Sequence, residues 1–98
     1  MAKSTAGART RISIINAGLE IWAEENQPAT TRAIGDRIGM THAAILYHFK
    51  SATKLRDAIA EEAVRLRNPI IVPQLLVMKH PAAAQLSEVD RVRFLMGC

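Results

Sequence analysis

The sequence predicts an all-α fold. Three observations carry this: apolar residues recur at helical spacing, small polar residues stand where helices would begin, and no segment alternates as a strand would. The chain has 98 residues, enough for one small domain and an appendage, and a fold of that size buries only a modest core. Hydrophobic residues make up 49 % of it, which suits a globular protein. No internal repeat or low-complexity tract interrupts the reading.

The first ten residues, "MAKSTAGART", are small, polar and basic, and read as a flexible arm. The first helix follows in "RISIINAGLEIWAEEN". Ile15, Leu19 and Trp22 recur at i, i+4 and i+7, with Ile12 and Gly18 on the same side, so these are the expected inward positions. Asn26 suits a left-handed helix stop, and Pro28 blocks any continuation.

"TTRAIGDRIG" supplies the second helix, capped by Thr30 or Thr31, with Ile34 and Ile38 one turn apart and expected inside. Gly39 ends it, because a helix C-terminus favours a residue that tolerates positive φ. About two turns long, it cannot be stable alone and must be held by its neighbours. Thr41 restarts the chain into a third helix, "THAAILYHF", with Ile45 and Phe49 inward and His42, Ala43, Ala44, Tyr47 and His48 on the other side.

Ser51 or Thr53 caps a fourth helix to about Arg67, with Leu55, Ile59 and Leu66 inward. Asn68-Pro69 ends it, since a residue before proline leaves helical geometry. Residues 70–86 are apolar, with Pro73 and Pro81 as interruptions. Ser87 then caps a last short helix that sets Val89, Val92 and Leu95 or Met96 on one side. The expected organisation is a helical domain over residues 9–67 and a short apolar helical tail over 68–98.

Two short helices joined by a tight glycine-containing turn make a helix-turn-helix. Ile34 and Ile38 anchor its first helix, Gly35 sits where the two helices approach, Gly39 makes the turn, Met40 plugs it, and Ile45 holds the second helix down. The charge distribution agrees. From Thr30 to Arg56 the bases Arg32, Arg37, Lys50, Lys54 and Arg56 face one acid, Asp36, so this segment carries the whole net charge of +4. The acids gather elsewhere, at Glu20, Glu24, Glu25 and at Asp57, Glu61, Glu62. A basic face on an otherwise balanced chain is what attraction to phosphate requires.

The same residues weigh against other classes. His42 and His48 lie about 240° apart on a helical wheel, so they cannot share a metal through one face, and no cysteine or carboxylate completes a site. His80, between Lys79 and Pro81, is expected to be exposed, and Trp22 and Phe49 to be core. No nucleophile motif surrounds the serines, so no enzyme activity and no cofactor are expected. The one cysteine, Cys98, offers no internal disulfide. The longest apolar run, Pro69 to Met78, is about half the ~20 residues a membrane span needs. "MAKSTAGART" lacks an apolar signal core, so the cytoplasm is the expected compartment.

At this point the chain resembles the TetR family of bacterial transcriptional regulators. "IINAGLEIWAEEN" is similar to the family's first helix, and "ATTRAIGDRIGMTHAAILYHFKSATKL" to its helix-turn-helix and the start of its fourth helix. The resemblance runs without a gap from about Arg11 to Ile59, and its most specific element is "LYHF" after the "TTR…IG" segment.

The resemblance implies a transcriptional regulator, in the first instance a repressor, whose partner is double-stranded DNA. Thr41 to Phe49 would be the recognition helix in the major groove, with His42, Ala43 and Ala44 toward the bases. Arg32 would reach a base edge or a phosphate, beside Thr30 and Thr31 at the start of the preceding helix. Tyr47 and His48 would donate to the DNA backbone, Lys50 would add a charge contact, and the amides at Thr41 could meet a phosphate. Three positions depart from the common pattern: Ala44 where many members carry Thr, Leu46 where they carry Tyr, and Ala52 where they carry Lys. Each removes one DNA contact, and Lys50 and Lys54 compensate in charge.

The family's regulators usually append a large helical domain that binds an effector and forms the dimer. About thirty residues follow Asn68 here, too few for a closed pocket, so no small-molecule effector is expected within this chain. The apolar stretches "IIVPQLLVM" and "VRFLM" are expected to pair two chains, or this chain with another partner, through residues 70–98. The alternative reading is a protein-interaction module that modulates a full-length relative through this tail.

Overall fold

The computed structural model describes residues 2–96, and Met1, Gly97 and Cys98 lie outside the described residues. Among the described residues the regular structure is all helical: α1 (Ala2–Glu25), α2 (Thr31–Ile38), α3 (His42–Phe49), α4 (Ala52–Arg65), α5 (Ile71–Val77), a 3-10 helix (Pro81–Gln85) and α6 (Glu88–Leu95). The helix-turn-helix is α2 and α3. The chain divides into two compact units, residues 1–59 and 60–98. No described helix is long and apolar enough to cross a membrane.

Helix boundaries follow the capping chemistry. Thr30 Oγ1 accepts from the Ala33 amide at 3.0 Å, Thr41 Oγ1 from Ala44 at 3.1 Å, and Ser51 Oγ from Lys54 at 3.1 Å. Each satisfies one of the amides that a helix start leaves without an internal partner. Thr30 and Ser51 are therefore the caps, not Thr31 and Thr53. Asn26 stops α1 with φ +56°.

The N-terminal residues correct one expectation. The segment read as an arm is helical from Ala2. Alanine, lysine and arginine favour helix, so α1 continues backward beyond its packed part. The packed face also differs in phase. Ile14, Ala17, Ile21 and Trp22 are buried with Leu19, whereas Ile15 is half-buried and Ile12 is exposed. Ile34, Ile45, Phe49, Leu55 and Ile59 complete the core of this unit, with Ile38 only half-buried.

The second unit buries Ala63, Val64, Ile71, Val72, Leu75, Ala82, Ala83 and Leu86. Leu66, expected inside, is 51 % exposed because α4 ends one residue before it. Asn68 breaks the chain and then restarts it: its Oδ1 accepts from the Ile70 and Ile71 amides at 2.9 and 3.0 Å. Pro73 does not interrupt α5. It stands in the first turn, where no intrahelical donor is lost. His80 is half-buried rather than exposed, and its Nδ1 accepts from the Ala82 amide at 3.0 Å, capping the 3-10 helix. Ser87 caps α6 in the same way, accepting from Asp90 at 3.2 Å.

Candidate nucleic-acid interface

The geometry between α2 and α3 is set by two glycines. Gly39 has φ +73°, which costs a glycine little and a side-chain-bearing residue more. Gly35 has no room for a side chain: a Cβ there would overlap the Met40 carbonyl oxygen and stand 3.4 Å from Ile45 Cδ1. The Met40 amide donates to the Gly35 carbonyl at 3.0 Å, closing the turn. Ile34 and Ile45, both fully buried, fix the two helices from below.

With Ile45 and Phe49 turned inward, α3 presents His42, Ala43 and Tyr47 to solvent, and Tyr47 is 79 % exposed. Ala44 and His48 are half-buried at the edge of this face. The Tyr47 and His48 rings meet edge to face, with centroids 5.5 Å apart and planes at 86°. Lys50 follows with φ +73°, its side chain exposed and its amide donating to the Leu46 carbonyl at 2.7 Å. Such a φ is uncommon for a lysine, and it turns the chain sharply between α3 and α4.

Of the ten expected contact residues, nine have an exposed or half-buried side chain. Thr31 is the exception: it is only 6 % exposed, and its backbone lies at the α2 N-terminus, where amides lack partners within the helix. Thr30 remains exposed while capping α2, and Arg32 is exposed next to it. Among the described residues no ion pair holds Arg32, Lys50 or Lys54.

Arg37 belongs to a different role than its sequence position suggests. Its guanidinium forms a two-pronged bond to Glu24, Nη1 to Oε2 at 3.0 Å and Nη2 to Oε1 at 2.9 Å, with Glu20 at 3.6 Å. The hydrogen bond and charge of Arg37 hold the Glu24 carboxyl below its ordinary range. Arg37 therefore ties α2 to α1 and is withdrawn from the basic face counted in the sequence.

Arg11 is the residue that sequence reasoning missed. Its Nη1 donates to the His48 carbonyl oxygen at 2.7 Å, and its guanidinium carbon lies 4.4 Å from the centre of the Phe49 ring. The only available signal was a basic residue one turn before the packed face of α1, and nothing local names its partner.

The arrangement is a short, firmly seated helix with an outward face of imidazole, methyl and phenol groups, beside Arg32 and Lys50, which pair with no carboxylate among the described residues. It can approach a polyanion and contact flat base edges. Residues 14–59 match the family model of bacterial regulatory proteins, tetR family. Neither a curated protein nor a solved structure gives a significant match to the chain.

Proposed function

Residues 14–59 are the DNA-binding domain of a tetR-family bacterial regulatory protein, and on that premise we propose that the chain is a sequence-specific transcriptional repressor acting by occupying an operator. The supporting observation is the solvent-facing row His42, Ala43 and Tyr47 on α3, beside exposed Arg32 and Lys50. In this reading α3 lies in the major groove. Arg32 contacts a base edge or phosphate, His42, Ala43 and Ala44 face bases, and Tyr47, His48 and Lys50 engage the sugar-phosphate backbone. Thr30 and the backbone of Thr31 approach phosphate at the start of α2. The protein works where bacterial DNA is, in the cytoplasm.

A single helix-turn-helix reads few base pairs, and two copies spaced one turn of DNA apart supply specificity. We assign the pairing to residues 70–98. Ile71, Val72 and Leu75 of the apolar run there are already buried, but Val89, Val92, Leu95 and Met96 form an exposed row on and just after α6, each at least 50 % exposed. That row also favours a second reading, a module that binds and modulates a full-length relative.

Transcription in vitro tests the function. A binding site selected from a random duplex pool, placed across a promoter, should let the protein reduce initiation. Arg32→Ala and Tyr47→Ala should abolish this. Retention of full function by both variants would favour the interaction module, and increased initiation would make the protein an activator.

A further inference from the structure

We propose that Arg11 is a positioning residue for DNA recognition, fixing the C-terminal end of α3 so that Tyr47 and His48 meet the DNA at a set angle. The proposal rests on the reading of α3 as the DNA-reading helix.

The last carbonyls of a helix have no partner within it. At α3 one of them, that of His48, accepts from Arg11 Nη1 at 2.7 Å across 37 residues of sequence. A cation at a helix C-terminus is also favoured by the helix dipole. The same guanidinium lies 4.4 Å from the centre of the Phe49 ring, well inside the range of a cation–π contact. Phe49 is buried, so the ring is a fixed platform rather than a mobile one. On the other side Arg11 stands three residues before Ile14, which is fully buried, so its own backbone is anchored. Two rigid points are thereby joined through one planar group.

What Arg11 holds is the backbone beneath the contact side chains. The carbonyl it binds belongs to His48, whose ring packs edge to face on Tyr47. A change in the backbone at His48 therefore moves both rings. Lysine cannot replace this arrangement, because it lacks the planar fork that donates to the carbonyl while stacking on the ring. Lysine would serve equally well if Arg11 merely supplied charge to a phosphate. The two roles are thus separable.

The test compares the wild-type chain with Arg11→Lys and Arg11→Ala. Each is titrated against a duplex bearing the selected site and against a scrambled duplex, over a range of salt. Melting curves identify a temperature at which each protein is folded. The expected result for Arg11→Lys is a loss of about tenfold in preference for the selected site, the scale of one lost charge-assisted hydrogen bond. Its binding to scrambled duplex and its salt slope should stay as in the wild type. Unchanged preference in a folded Arg11→Lys overturns the proposal. So does an equal loss on both duplexes by Arg11→Ala with Arg11→Lys unaffected and a salt slope lower by about one ion, which would make Arg11 a direct phosphate contact. If the wild-type chain itself selects no sequence, the reading of α3 fails and the proposal with it, a result distinct from both of these.

Discussion

Gly35 of α2 lies directly against the carbonyl oxygen of Met40, with no space between them for a β-carbon. The Met40 amide returns a hydrogen bond of 3.0 Å to the Gly35 carbonyl. The angle between α2 and α3 is therefore set by backbone against backbone, which cannot yield as a flexible side chain would. Gly35→Ala should lower stability by about 1–3 kcal/mol, the usual range for overpacking, and should weaken DNA binding even where the variant remains folded. Gly39→Ala meets no atom within 4 Å but keeps a φ of +73°. It should cost about 1–2 kcal/mol of stability and leave the interhelical contact intact. Urea melts and binding titrations on both variants check this, and a Gly35→Ala protein with wild-type stability and affinity would contradict it.

The clamp between Arg37 and Glu24 predicts a pH dependence. The hydrogen bond from Arg37 lowers the Glu24 carboxyl from its ordinary value of 4.5, so the folded state binds this proton less readily than the unfolded state. Its contribution to stability is complete above about pH 4.5 and is lost as pH falls through the lowered folded value. Glu24→Gln should be slightly less stable than the wild type at pH 7, and the gap should close in acid. Because the pair is exposed, added salt should also narrow it. A gap that does not narrow as the solution is acidified would place the effect elsewhere.

Arg32 and Lys50 are expected to behave differently although both are exposed cations. If Arg32 reads a base edge, Arg32→Ala should reduce discrimination at one position of the selected site by about 1–3 kcal/mol. Lys50→Ala should weaken binding to every duplex alike and lower the salt slope by about one ion. Competition titrations with single-base variants of the site separate the two patterns. Identical losses from both variants on all sequences would make Arg32 a phosphate contact.

The early turns of α3 carry the methyl groups of Ala43, exposed, and Ala44, half-exposed, with His42 as the one polar side chain beside them. Methyl groups recognise the thymine methyl and form no hydrogen bond with any base. Replacing thymine by deoxyuridine in the selected site removes those methyls and nothing else. Binding should weaken at one or two positions per half-site. Equal affinity for the fully substituted duplex would exclude this mode of readout.

Much of the fold could be read locally because its signals are local. Thr30, Thr41, Ser51 and Ser87 each cap a helix by reaching an amide three residues on. Asn26 and Gly39 take the left-handed backbone that helix ends favour. The phase of α1 was harder, because Ile12, Ile14, Ile15, Leu19, Ile21 and Trp22 leave two apolar faces and either could have packed. Ile34 and Ile59 lie against Gly18, and the face that ends up buried runs through Ile14, Ala17, Ile21 and Trp22. The electrostatics were least legible. Arg11 and Arg37 look like two more cations of a basic chain, yet one is held by a carbonyl 37 residues away and the other by a carboxylate 13 residues away. No spacing rule connects such partners, since tertiary packing alone brings them together.

The most direct test of the account is fluorescence anisotropy of the purified chain on a selected duplex and on its scrambled counterpart, at low and at physiological salt. Both duplexes should bind at low salt and only the selected one should remain bound as salt rises, since base contacts survive the screening that removes phosphate attraction. Equal and equally salt-sensitive binding to both duplexes would contradict it, leaving a basic helical domain that does not read sequence by itself.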